Sequence, residues 1–215
     1  AGGWGGRAVS QNGGANGALR DVADFDMDAY MFGIRVGRTA KNTAMKPSLT
    51  IWYDYLSGTS DKDGRDGNVS SFNTLYDTGH KYYGLIDMFL GVGSGNNTSG
   101  VSGLGLQDLA VKYKMKPVAG WTLKADYHWF WTAESVSANP TTRSTRLGTP
   151  TAGHDWTNFL GNELDITAVT KMNANTKVMI GYSNFNAAQT FRRIRNATTG
   201  ANDANWAYVQ FDVKF

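Results

Sequence analysis

Apolar and polar residues alternate along much of the chain, and the last ten residues show the pattern most clearly. Apolar side chains occupy every second position from Ala207 to Phe215. The positions between them hold polar or amphipathic side chains: Trp206, Tyr208, Gln210, Asp212 and Lys214. Successive side chains of a β-strand point to opposite faces, so a period of 2 predicts a strand with one apolar and one polar face. Such a strand separates two different environments.

The same alternation predicts about eight strands in the chain, joined by connections of two kinds. The predicted strands lie near residues 4–11, 29–36, 48–55, 108–115, 121–132, 164–168, 178–182 and 206–215. Short connections at 39–46, 116–120 and 172–175 alternate with long loops at about 12–24, 57–103, 133–158 and 186–203. Outer-membrane barrels have this asymmetry, with short periplasmic turns and longer extracellular loops. The pattern therefore predicts an all-β, antiparallel transmembrane β-barrel.

One apolar segment, Tyr82 to Leu90, does not fit this scheme as a strand. The short turns on either side of the 57–103 loop lie on the same side of the membrane only if an even number of strands separates them. A single extra strand would break that parity. We therefore expect this segment to lie within a long extracellular loop that folds against the pore.

The composition is compatible with a barrel and excludes several other classes. The 215 residues suffice for one all-β domain covering 1–215, and no run approaches the roughly 18 apolar residues that a spanning helix needs. Aromatic residues at 13% suit the interfacial girdles of a barrel. The chain has no cysteine, and its net charge of +3 is too dispersed for nucleic-acid binding. No secretory signal is present, so we expect a mature form or a fragment of an exported protein.

Several short motifs, in order along nearly the whole chain, resemble those of alginate-export-type outer-membrane porins, in particular their C-terminal half. They are residues 25–30 (FDMDAY), 53–58 (YDYLSG), 72–84 (FNTLYDTGHKYYG), 126–131 (DYHWFW), 161–167 (GNELDIT) and 181–185 (GYSNF). The terminal strand ending on Phe215 is also similar to the closing strand of outer-membrane barrels, where a terminal Phe is part of the signal for the barrel-assembly machinery. The resemblance implies a bacterial outer-membrane location, with contacts to outer-membrane lipid and lipopolysaccharide.

The resemblance leaves two interpretations of barrel size. Members of this family form barrels of about 16–18 strands, so this chain is either part of a larger barrel or a small barrel of about eight strands. The difference matters because side chains fill a barrel of about eight strands, whereas sixteen or more leave an aqueous channel. In the small barrel the terminal strand would pair with residues 4–11.

Strand parity predicts a set of charged side chains that face the lumen and form a candidate substrate pathway. The set comprises Arg35, Asp54, Lys112, Lys114, Lys124, Asp126, Glu163, Asp165, Lys177 and Asp212. The resemblance implies that its cations contact the carboxylates of an anionic polysaccharide. The alternative is that these charges pair across strands and only hydrate the interior. Nearly equal numbers of both signs favour the second interpretation.

Three further features are candidates for binding or catalysis outside the strands. Arg192, Arg193 and Arg195 form a basic patch in the last long loop that could contact anionic sugar or lipopolysaccharide phosphate. Residues 61–68 are similar to a calcium loop but lack its distal bidentate Glu, so at most a weak loop Ca²⁺ is expected and no other cofactor or metal. The histidines show no ligand spacing, and we identify no catalytic constellation.

The sequence therefore predicts an outer-membrane porin or channel for hydrophilic or anionic solutes, with polysaccharide export as the function that the resemblance implies. The alternative is a plugged barrel that anchors a surface or periplasmic partner. Neither hypothesis involves an enzyme or a nucleic acid.

Overall fold

A computed structural model describes residues 4–6, 25–60, 69–72, 74, 80, 82–89, 103–135, 157–194 and 203–214, and the regular secondary structure of these residues is almost entirely β-strand. Its strands are β1 (Trp4–Gly6), β2 (Phe25–Met27), β3 (Met31–Thr39), β4 (Ser48–Leu56), β5 (Leu106–Met115), β6 (Trp121–Trp131), β7 (Phe159–Lys171), β8 (Thr176–Ala187) and β9 (Ala204–Val213). One short helix, α1 (Gln189–Ile194), precedes β9. Within these residues, no helix is long and apolar enough to cross a membrane.

Strands β3 to β9 form one antiparallel sheet in which the spatial order equals the chain order. This arrangement confirms the predicted all-β, antiparallel architecture and is that of a β-barrel segment, although the sheet is not closed. Seven strands belong to this sheet, and the predicted strand near residues 4–11 is not its eighth member. That segment contributes β1, which pairs with the unpredicted strand β2. A three-residue strand such as β2 is too short to show an alternating pattern.

The two ends of the sheet differ, as the loop lengths predict. The short turns at residues 40–47, 116–120 and 172–175 all lie at one end, which we call the turn end. The amide of Lys116 donates to the carbonyl of Met45 at 2.7 Å and so links two neighbouring turns, and the amide of Lys214, directly after β9, donates to Asn175 of the third turn at 3.0 Å. The long connections lie at the opposite end, which we call the loop end. One of these connections is not entirely irregular, because β8 extends to Ala187 and α1 follows it.

Alternation gives the sheet an apolar face and a polar face. The register places Ile34, Ile51, Val111 and their neighbours on one continuous surface. Many of its side chains are open to the surroundings; Ile34 is 56% exposed and Phe211 62% exposed. Exposed aliphatic and aromatic side chains over a whole sheet face are the arrangement that a lipid environment favours.

The buried apolar core lies on the other, polar face, at its loop end. Residues 80 and 82–89, which we call the inner loop, pack across this face and form no strand, in agreement with the parity prediction. Phe89 is fully buried and contacts the rings of Phe130, Phe185 and Phe191, with centroids 4.4, 5.8 and 5.6 Å away. The helix α1 forms here because Phe191 completes this aromatic cluster. The core therefore joins the inner loop to the sheet.

Candidate functional site

The polar face carries all ten of the charged residues predicted from parity, and the register shows how they meet. Lys112 lies directly opposite Asp126, and Lys177 lies directly opposite Asp212. Their ion pairs measure 2.9 and 2.5 Å between nitrogen and oxygen. These pairs follow from the antiparallel register, in which directly opposed side chains have Cβ atoms about 5 Å apart.

Arg35 and Asp54 form a third pair, on a diagonal between β3 and β4. The guanidinium Nη2 lies 2.6 Å from Asp54 Oδ1, and the guanidinium carbon lies 3.6 Å above the ring of Trp52. The indole nitrogen of Trp52 donates to the second oxygen of Asp54 at 2.6 Å. Asp54 is only 1% exposed. The cation of Arg35 and the neutral N–H donor of Trp52 are the partners that stabilise this buried carboxylate.

Two of the predicted lysines have no such partner. Lys114 and Lys124 face each other across β5 and β6, and within the described part of the chain neither forms an ion pair. Like charges in directly opposed positions repel each other. Near the turn end, the polar face therefore presents at least these two cations without an ion-pair partner among the described residues.

A chain of four polar side chains crosses the middle of the polar face. His128 Nδ1 lies 2.9 Å from Asp108 Oδ1, and His128 Nε2 lies 3.0 Å from the ammonium nitrogen of Lys112. Lys112 can only donate, so His128 Nε2 accepts and Nδ1 carries the proton that is donated to Asp108. Lys112 also donates to Asp126. The sequence did not indicate this network, because residues 20 positions apart meet only through the register.

Glu163 attaches the inner loop to the sheet. One of its carboxyl oxygens accepts hydrogen bonds from the amides of Leu85 and Ile86, at 2.6 and 2.9 Å. Gly84 lies directly against this carboxyl: a Cβ there would be 2.6 Å from the carboxyl atoms, and its φ of +86° favours glycine. The close approach is therefore possible because residue 84 has no side chain.

Ring contacts fix the inner loop at further points. His80 stacks on Trp206 of β9 at 4.7 Å, and Tyr82 meets the edge of Trp52 of β4 at 5.9 Å. His80, Tyr83 and Asp87 adopt φ values of +63°, +62° and +62°. Non-glycine residues in this region each cost about 1 kcal/mol or more, so the contacts with the sheet must offset that strain.

A cavity of about 420 Å³ lies between the inner loop and the sheet. The loop contributes His80, Gly84 and Leu85 to its lining. The sheet contributes side chains of both signs and several aromatic rings: Trp52, Lys112, Lys124, Asp126, His128, Asp165, Thr167, Met179, Trp206, Tyr208 and Gln210. The cavity thus contains part of the predicted substrate pathway.

Several polar atoms beside this cavity have no hydrogen-bond partner among the described residues. They are both carboxyl oxygens of Asp165, the second carboxyl oxygen of Glu163 and the hydroxyl of Ser183. Asp165 is 3% exposed, and its nearest approach to His128 Nε2 is 3.8 Å, beyond hydrogen-bonding distance. Buried polar groups nearly always have partners. The carboxyls of Glu163 and Asp165 can supply one for each other, because they are close enough to share a hydrogen bond when one of them carries a proton.

The remaining predicted sites are only partly covered by the described residues. Arg192 is held by Asp203 through two contacts, at 3.0 and 3.1 Å, so this part of the basic patch is already paired. The side chain of Arg193, together with Arg195 and the calcium-like residues 61–68, lies outside the described residues. In the described part of the chain, no group of three or more His, Asp or Glu is arranged to hold a metal ion.

An antiparallel sheet with a lipid-compatible face, an ion-paired polar face and a loop folded across the latter is the arrangement of a segment of a transmembrane β-barrel wall. Residues 3–205 match the family model described as "Alginate export". The chain belongs to the alginate-export family, which consists of outer-membrane transport channels and not of enzymes. No curated protein matches the chain.

Proposed function

We propose that this chain forms part of the wall of a channel in the bacterial outer membrane through which hydrophilic solutes, including anionic saccharides, diffuse along the polar face. The observation that carries this proposal is the ordered set of charges on the face opposite the apolar one. Hydrated, ion-paired side chains on one face and lipid-compatible side chains on the other are what a channel wall requires. Membership of the export family supports the same function.

The balance of charge supports a channel without strong selectivity for anions. Arg35, Lys112 and Lys177 each have a carboxylate partner within 3 Å. A paired cation offers less attraction to a passing polyanion, because its field is already largely compensated. Lys114, Lys124 and Lys171 have no ion-pair partner among the described residues, so an anion would gain most near the turn end.

A second candidate function is a plugged barrel that anchors a partner, and the inner loop is the observation that favours it. This loop contacts strands from β4 to β9 and carries a fully buried aromatic side chain, Phe89. A loop packed this firmly across the polar face would narrow or close a channel.

Conductance of the purified protein in a planar lipid bilayer separates the two functions. We expect discrete conductance steps for the unmodified protein. Phe89→Ala should raise the conductance, since it removes the ring that anchors the loop in the aromatic cluster. Absence of any conductance in both proteins would refute the channel. Conductance in the variant alone would favour the plugged form.

A further inference from the structure

The apolar face of the sheet carries a group of hydrogen-bonded amide side chains at its loop end. Asn162 lies directly opposite Asn186, and Asn184 lies directly opposite Asn205. The amide nitrogen of Asn186 donates to the side-chain oxygens of Asn162 and Asn184, at 3.2 and 2.9 Å. The side-chain oxygen of Asn205 accepts from the amide nitrogen of Asn184 at 2.9 Å and from the hydroxyl of Tyr182 at 2.6 Å. We call these residues the amide cluster.

The amide cluster lies at the margin of the apolar band. Asn184 and Asn186 are eight and ten positions along β8 from Thr176, which begins the strand at the turn end. These intervals correspond to about 27 and 34 Å along a strand, or about 21 and 26 Å in depth at a tilt of about 40°. Because the apolar band of a barrel is about 25 Å tall, the amides lie at the level where acyl chains give way to lipid head groups.

Other strands carry aromatic rings at the same level of this face. Phe32 of β3 stacks on Tyr55 of β4, with ring centroids 5.2 Å apart. On β6, the rings of Tyr127 and Trp129 are in contact, with centroids 4.6 Å apart. Rings at this level form the usual interfacial girdle of a barrel. The change from rings to amides between β6 and β7 is therefore a local feature that the girdle does not explain.

The amide cluster keeps hydrogen-bonding groups that its internal bonds do not use. Within the described part of the molecule, the amide nitrogens of Asn162 and Asn205 have no acceptor, and the side-chain oxygen of Asn186 has no donor. Asn186 and Asn205 are exposed. A ligand at this surface must therefore offer oxygen acceptors to two NH₂ groups and a donor to one carbonyl oxygen. Phosphate and ester oxygens are such acceptors, and a sugar hydroxyl is such a donor.

The surface around the amide cluster suits an amphiphilic ligand. Ile180 and Val209 lie directly opposite each other on the turn-end side of the cluster and are 48% and 60% exposed. Acyl chains would cover these side chains, and the head group of the same molecule would then lie at the level of the amides. The half-buried ring of Trp129, directly opposite Asn162, offers apolar surface to the C–H groups of a sugar ring. The cluster is thus continuous with the lipid-compatible face.

We propose that the amide cluster binds the phosphorylated saccharide head group of a lipopolysaccharide molecule in the outer leaflet. The long loops of outer-membrane barrels are extracellular, so the loop end of the sheet meets that leaflet. Phosphate or ester oxygens accept from Asn162 and Asn205, and a sugar hydroxyl donates to Asn186. The inference rests on the outer-membrane location in the proposed function and not on the conductance of a channel.

Native mass spectrometry of the detergent-solubilised protein, titrated with purified rough-type lipopolysaccharide, tests this site. The comparison ligand is phosphatidylglycerol, which is anionic and has acyl chains but no sugar ring. We expect the unmodified protein to bind lipopolysaccharide at least about tenfold more tightly than phosphatidylglycerol. The double variant Asn162→Leu/Asn205→Leu should bind lipopolysaccharide about tenfold more weakly, because two donors are lost. The matched control is Asn42→Leu, the same change at an exposed position at the turn end, which should leave affinity unchanged.

Three results would overturn the inference. The first is binding of phosphatidylglycerol as tight as that of lipopolysaccharide, which needs no variant and so does not depend on the folding of the double variant. The second is a folded double variant with unchanged affinity for lipopolysaccharide. The third is a protein dimer that forms in place of the lipid complex, which would assign the amide cluster to a second copy of the chain.

Conductance recorded on the same preparation separates this inference from the proposed function. Preferential binding of lipopolysaccharide without conductance supports the amide cluster as a lipid site and overturns the channel. Conductance without preferential binding overturns the lipid site alone.

Discussion

A lysine introduced at Ile166 tests the assignment of the two sheet faces directly. Ile166 lies on the apolar face of β7, is 42% exposed, and pairs with Ala125 and Tyr182. Lys171, at the turn end of the strand, lies five positions further along the chain. That is about 17 Å along a strand, or about 13 Å in depth at a tilt of about 40°. The apolar band of a barrel is about 25 Å tall, so Ile166 lies near its middle.

The expected destabilisation follows from this depth. Lysine at the bilayer midplane costs about 2–4 kcal/mol. Since about 1.4 kcal/mol corresponds to a factor of ten, the ratio of folded to unfolded protein should fall by about 30-fold to about 700-fold. Urea-induced unfolding in lipid vesicles, followed by tryptophan fluorescence, measures this change.

The control introduces the same residue on the polar face. Gln210 is exposed there and hydrogen-bonds Asp212, a carboxylate that can accept from lysine equally well. Gln210→Lys should therefore change stability by less than about 1 kcal/mol. Thr167 is unsuitable as a control, because it is 5% exposed and lies against the hydroxyl of Tyr208. Equal losses for Ile166→Lys and Gln210→Lys would show that the face assignment is wrong.

Two further pairs of substitutions examine the inner loop and the ion pairs. Gly84→Ala should detach the inner loop, because the added Cβ would clash with the Glu163 carboxyl, and limited proteolysis of the loop should then be faster. The control is Gly120→Ala, since Gly120 has a similar φ of +82° but open space around it. Equally fast proteolysis of the loop in both variants would argue against the clash. Arg35→Met should lower the free energy of unfolding by about 1–3 kcal/mol, because its carboxylate partner is buried. Lys177→Met removes a pair exposed on both sides and should therefore lower stability less than Arg35→Met does in the same urea titration. A larger loss than for Arg35→Met would contradict this ranking.

Alternation made the faces of the long strands predictable. A period of 2 determines which side chains share a face, so Arg35, Asp126 and Asp212 could be placed on one surface before any register was known. Parity of the connections also predicted that residues 82–89 would not form a strand. These inferences depend only on the alternation of apolar and polar residues within each strand and on the number of strands between the short turns.

The parts that could not be predicted depend on contacts between distant segments. The alternation of apolar and polar residues does not show that Glu163 accepts hydrogen bonds from the amides of Leu85 and Ile86, which lie 78 and 77 residues away. The pairing of β1 with β2 was missed because three-residue strands carry too few positions to establish a period. Helix α1 was missed for a related reason: six residues are stabilised by the burial of Phe191, and such a tertiary contact outweighs local propensity.

The inner loop also has a consequence for assembly. Strands that are hydrogen-bonded to each other in the main sheet are also consecutive in sequence. The strands can therefore pair one after another, each with the edge of the strand that precedes it. The inner loop follows a different rule, because its partners Trp52 and Trp206 belong to β4 and β9. Its residues lie between β4 and β5 in sequence, yet its contact with Trp206 can form only after β9 has joined the sheet. Docking of this loop is therefore a late event, and its protection from protease reports that the strands from β4 to β9 have come together.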